Sequence, residues 1–121
     1  MSGRILFCGD PHGRFEHIVR AAAETQVEAV ILLGDLQPRR ALQLELGAIA
    51  GRTWFVHGNH DTDSEEGFRN VWDSELGDRN LDGRVVTLAS GLQVAGLGGI
   101  FRKRVWRPPE QAVFQTPPGS A

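Results

Sequence analysis

The chain has 121 residues, 40% of them apolar and 23% charged, with a net charge of −2 at neutral pH. That composition describes one ordinary globular domain, with enough chain to remove roughly two-thirds of its unfolded surface from water. It excludes a general electrostatic attraction for nucleic acid, and no apolar run approaches the roughly 20 residues of a membrane span.

Ile5-Leu6-Phe7-Cys8 reads as a short buried strand that runs into Gly9-Asp10-Pro11-His12-Gly13. An Asp and a His two residues apart at a strand end can point into one cleft, and a carboxylate with an imidazole suits a borderline divalent metal. Taken alone, the same residues also make an ordinary polar turn. The lone Cys8 has no disulfide partner, which fits a reducing compartment. The short apolar run that holds it leads into polar residues and not into a signal-peptide pattern, so the expectation is a cytoplasmic protein.

Phe15, Ile18, Val19 and Ala22 form an i, i+3, i+4, i+7 stripe that predicts an amphipathic helix over 14–25, with His17 on its solvated face. Val27 to Leu33 is a near-continuous apolar run, the pattern of a strand buried on both faces of a parallel sheet. It ends at Gly34-Asp35. Pro38 suits a first helical turn, Leu42, Leu46, Ile49 and Ala50 line one face, and Gly51 suits a stop. Thr53 to Val56 is a third strand, ending at His57-Gly58-Asn59-His60-Asp61.

Strand, helix, strand, helix, strand implies a parallel sheet covered by helices. In open sheets of this kind ligands collect at the carboxyl ends of the strands, and all three polar clusters fall there. Further on, Ser64 or Asp63 caps a short helix within 63–72 that turns Phe68, Val71 and Trp72 inward. Residues 75–83 read as loop, and 84–88 with 92–97 as a hairpin. Gly96, Gly98 and Gly99 suggest close backbone approach at its end. From Arg102 a basic patch surrounds Trp106 and Pro-rich chain follows, which reads as a solvated tail in preference to a phosphate-contacting segment. The expected organisation is a domain over 1–101 and a tail over 102–121.

Asp10, Asp35 and Asn59 are 25 and 24 residues apart, about one strand–helix unit each, which sets their side chains side by side along the sheet edge. Two carboxylates, a carboxamide oxygen and an imidazole suit Mn, Fe or Zn better than Ca or Mg. In Gly9-Asp10-Pro11-His12-Gly13, Gly34-Asp35 and Gly58-Asn59-His60-Asp61, in this order and spacing, the chain resembles the calcineurin-like metallophosphoesterases. The resemblance covers residues 4–61 and extends more loosely through 92–99. It implies a two-metal hydrolase of phosphomonoesters or phosphodiesters, its ions about 3.5–4 Å apart. Asp10 and His12 would bind the first metal, Asp35 would bridge both, and Asn59 would bind the second and face substrate. His60 would serve as general acid or as a donor to the phosphate.

His57 stands outside the family's pattern and reads as a packing or surface residue. Two departures qualify the resemblance. Pro38 stands where many members carry the carboxylate that steadies the histidine, leaving Asp61 or Asp63 to take that role. The chain also has histidines only at 12, 17, 57 and 60, so three imidazoles of the family's second half are absent. The expected fold is therefore α/β, part of the family's two-sheet sandwich flanked by helices and lacking its C-terminal strands. Apolar surface from Val86, Leu88, Val94 and Leu97 would be left exposed and favour self-association. The expected partner is a phosphate ester, with neither membrane nor nucleic acid. The rival reading is an inactive interaction module on the same fold. A nucleic-acid binder using Arg102 to Arg107 is a thinner third.

Overall fold

A computed structural model describes residues 3–99. The basic patch and the rest of the expected tail lie outside the described residues. Strand β1 (Ile5–Gly9) is followed by helix α1 (Glu16–Thr25), strand β2 (Ala29–Leu33), helix α2 (Leu42–Leu46), a 3₁₀ segment (Gly47–Arg52) and strand β3 (Thr53–Val56). Helix α3 (Glu65–Trp72), a 3₁₀ turn (Gly77–Arg79) and strands β4 (Val85–Thr87) and β5 (Gln93–Ala95) complete the order.

The first three strands make one parallel sheet in the order β1-β2-β3, with Ile5 opposite Ala29 and Val30 opposite Thr53. β2 is central, which explains its unbroken apolar sequence. Ala29 through Leu32 are all buried. Strand alternation sends Leu6, Cys8, Val30, Leu32 and Phe55 to one face, where they join Phe15, Ile18 and Ala22 of the α1 region and Leu42, Leu46 and Ile49 in a single core. α3 adds Phe68, stacked on Trp72 at 4.6 Å, and Trp72 meets Phe55 edge-on at 6.3 Å. Burial also pushes the Cys8 thiol up from its ordinary pKa. This is the α/β architecture with a parallel sheet and helices that the sequence predicts. No helix among the described residues is long and apolar enough to cross a membrane.

Three expectations need correction. The second helix does not begin at Pro38. The chain from Gly34 to Ala41 is loop, with Asp35 and Gln37 in left-handed backbone, and α2 runs only from Leu42 to Leu46. Gly47, at φ 54°, breaks it into the 3₁₀ segment, so Gly51 falls inside that segment and stops nothing. The periodicity still found the buried positions, because the broken helix keeps Leu42, Leu46 and Ile49 inward.

Residues 75–83 are more than loop. Leu76 and Leu81 are buried, and the Leu81 amide donates to the Phe55 carbonyl at 2.7 Å, which continues the sheet edge beyond β3. Finally, β4 and β5 pair antiparallel as a separate hairpin, yet their exposed apolar set differs from the expected one. Leu88 is buried, Val86 and Val94 are half-buried, and the exposed side chains are Val85, Leu92 and Leu97. On the three-stranded sheet, Phe7 and Leu33 are also exposed, at 58% and 44%, on the face away from the core.

The contrast between two phenylalanines is testable. Phe55→Ala empties a fully buried site and is expected to destabilise by about 3–5 kcal/mol in urea unfolding. Phe7→Ser, at a solvated position, is expected to change stability by about 0.5 kcal/mol or less.

Candidate metal centre

Each strand of the parallel sheet ends in a polar turn, and backbone bonds tie these turns together. The His12 amide donates to the Asp35 carbonyl at 3.0 Å and the Gly13 amide to the Leu36 carbonyl at 2.8 Å. The loop after β1 thus pairs with the loop after β2 beyond the strands themselves. The loop after β3 is held by Asp61, a buried side chain. Its carboxylate accepts from four backbone amides: Asp35 at 3.0 Å and Gly58 at 2.6 Å on Oδ2, Leu36 at 2.7 Å and Gln37 at 3.4 Å on Oδ1. Burial pushes the Asp61 carboxyl above the usual carboxylate range, against the pull of the Gly58, Leu36 and Gln37 amides, and the charge of Asp35 adds to the rise.

The two loops approach so closely that one position admits only glycine. A Cβ on Gly58 would fall 2.3 Å from Asp35 Oδ1 and 2.6 Å from the Asp35 amide nitrogen. That approach lets the His60 amide donate to Asp35 Oδ1 at 2.8 Å. One oxygen of Asp35 is thereby fixed and the other remains for a further ligand.

Asp10, His12 and Asp35 each offer a ligand atom, and these atoms lie within 4.8 Å of one another. All three residues, with Gln37, are in left-handed backbone at φ 46–51°, a region that costs a non-glycine residue about 1–3 kcal/mol and clusters at functional sites. His12 Nδ1 lies 2.5 Å from Gln37 Oε1. An amide oxygen only accepts, so Nδ1 carries the proton and Nε2 keeps its lone pair for a cation. Two carboxylates brought this close repel unless a cation lies between them. The donors and their locked orientation fit a divalent ion.

Asn59 sits half-buried in the turn between Gly58 and His60. The His60 ring is exposed, 6.2 Å from the His12 ring, with Nδ1 2.7 Å from Asp63 Oδ2. Of the two carboxylates expected to steady His60, Asp63 therefore meets its ring, while Asp61 is occupied by backbone amides. No sequence signal separates those roles, since both aspartates lie close to the motif. Gln37 is the residue that sequence reading missed. Its place three residues before Arg40 in a loop read as a helix start gave no sign that it holds His12. His57 packs as expected. Its Nδ1 accepts from Asn80 Nδ2 at 3.1 Å, its carbonyl accepts from the Gly99 amide, and a Cβ on Gly98 would strike its ring at 2.8 Å.

Three substitutions test this construction. Asp61→Ala strands four backbone amides, two buried and two part-buried, and is expected to destabilise by about 3 kcal/mol in urea unfolding. Asp61→Asn recovers only part of that, because it presents one acceptor oxygen where two are used. Gln37→Leu is expected to weaken divalent-metal affinity about tenfold or more, measured by calorimetry, with little loss of fold.

Comparison with known proteins agrees with this geometry. The family model of the calcineurin-like phosphoesterases matches residues 3–115. An uncharacterized protein of Haemophilus influenzae (strain ATCC 51907 / DSM 11121 / KW20 / Rd) is 44% identical over 113 residues, which are 93% of this chain and 50% of that protein. The chain thus spans about half the length of the curated relative it matches. No solved structure matches. Membership in that family implies divalent metal ions, and Asp10, His12 and Asp35 at the strand ends form a candidate ligand group for one. The chain belongs to the calcineurin-like phosphoesterase family.

Proposed function

We propose that this chain carries the metal-binding half of a phosphoesterase site, with Asp10, His12, Asp35 and Asn59 holding two divalent cations of the manganese, iron or zinc class. The observation that carries this reading is the convergence of Asp10, His12 and Asp35 from two strand ends on left-handed backbone, ligand atoms within 4.8 Å. Bound cations supply Lewis acidity toward the phosphoryl oxygens and make water acidic near neutral pH.

The chain's own residues provide the rest. Gln37 sets the His12 tautomer, and the His60 amide fixes one oxygen of Asp35, so that the other would be left for a cation. The His60 ring, anchored through Nδ1 by Asp63, meets substrate through Nε2. In its charged form the ring donates a hydrogen bond to the phosphate or a proton to the departing oxygen. Asn59, in the same turn, shares the contact with substrate. Asp61 acts one step back, by keeping the Asp35 and His60 loops in register.

A second reading, a non-catalytic member that serves as an interaction surface, draws on the exposed Phe7, Leu33 and Leu97. The same apolar surface would support self-association of the chain.

Manganese-dependent hydrolysis of an aryl phosphomonoester and an aryl phosphodiester, beside Asp35→Asn, tests both readings. Turnover that requires metal and falls at least about a hundredfold in the variant is expected, and the favoured ester identifies the substrate class. Folded protein with no turnover above the variant, eluting as an associated species, would favour the interaction module.

A further inference from the structure

The two edges of the parallel sheet differ. Along β3 the backbone is engaged, with the Leu81 amide on the Phe55 carbonyl at 2.7 Å and the Gly99 amide on the His57 carbonyl at 2.8 Å. β1 is the other edge, and among the described residues β2 is the only strand that pairs with it. An edge strand presents a row of amides and carbonyls to whatever approaches. Proteins blunt such edges with charges or prolines, yet Ile5-Leu6-Phe7-Cys8-Gly9 contains neither. Phe7, at its centre, is exposed on the face away from the core.

The residues around Phe7 complement themselves when the strand is reversed. An antiparallel pair of β1 strands with its two-fold axis at Phe7 sets Phe7 opposite Phe7, Leu6 opposite Cys8 and Ile5 opposite Gly9. One step beyond the strand, Arg4 of each copy stands opposite Asp10 of the other, and both residues are exposed. A parallel pair in register would bring Arg4 to Arg4 and Asp10 to Asp10. Charge therefore favours the antiparallel arrangement, which is also the one that closes as a two-fold dimer. Opposite residues share a face with Cβ atoms about 4.5–5.5 Å apart, so the two Phe7 rings cover each other. Leu33, one strand further in, stays outside the contact.

We propose that β1 is a docking edge for a second copy of this chain, joined antiparallel about Phe7 into one continuous sheet. It gives the self-association raised above a surface and a register. Neither metal nor ester takes part, so its failure leaves the phosphoesterase reading untouched. Two strands of five residues bury less than a standard interface of about 1,600 Å², and the dimer is accordingly weak and concentration-dependent.

Sedimentation velocity in the presence of a chelator, over about 5–500 μM protein, tests this, with urea unfolding to show that each variant is folded. The unaltered chain is expected to pass from monomer to dimer in that range. Phe7→Lys should weaken the dimer about tenfold or more, and Leu33→Lys should leave it within about threefold. Arg4→Glu and Asp10→Lys should each weaken self-association, because each sets like charges opposite one another twice per dimer. Mixed together, the two charge variants should associate at least about tenfold more tightly than either alone, since every facing pair is then opposite in sign. A monomer throughout the range, or a mixture no tighter than its components, overturns the proposal. Equal loss in Phe7→Lys and Leu33→Lys also overturns it, because that pattern belongs to sheets stacked face to face.

Discussion

The carboxylate of Asp61 joins two loops that the chain itself keeps apart. Leu36 lies 25 residues away in sequence, yet its amide and those of Asp35, Gln37 and Gly58 all converge on the two oxygens of Asp61. Buried amides that lack secondary-structure partners must find an acceptor, and Asp61 accepts them together. With the loops so joined, Gly58 lies against Asp35 and the His60 amide reaches Asp35 Oδ1. Removing the clamp would free the loop after β3 from the loop that carries Asp35, while the backbone bonds from His12 and Gly13 to the Asp35 loop remain.

The same region concentrates the unfavourable terms of the fold. Asp10, His12, Asp35 and Gln37 are all non-glycine residues in left-handed backbone. Two of them are carboxylates facing one another's field. Neither feature stabilises the chain, and glycine would suit these backbone positions better. Their persistence makes sense if the chain holds ligands in place before the ion arrives. The core supplies the stability that makes this tolerable, since β2 is buried along nearly its whole length and the helices cover one face of the sheet.

The other face is less completely covered. Gly96, just after β5, lies against Val56, and Phe7 and Leu33 remain in solvent beside the strand ends that bear Asp10 and Asp35. The relative from Haemophilus influenzae is about twice the length of the matched region, so it carries further polypeptide.

Much of the architecture was legible in the residues themselves. The apolar run of Val27 to Leu33, the stripe of Phe15, Ile18, Val19 and Ala22, and the 25- and 24-residue spacing of Asp10, Asp35 and Asn59 express periodicities that local backbone geometry imposes. These led to a parallel sheet with polar turns along one edge, and the motif residues in those turns carry the resemblance to the family. Tertiary structure decided what those periodicities do not encode. It placed Gln37 on His12, separated the roles of Asp61 and Asp63, ended α2 at Gly47, and buried Leu88, while Leu97 is exposed as the sequence predicts. Each of these depends on which distant backbone amide or side chain lies opposite a residue. A one-dimensional pattern records where a side chain points along its own element, and the packing of separate elements determines what it meets.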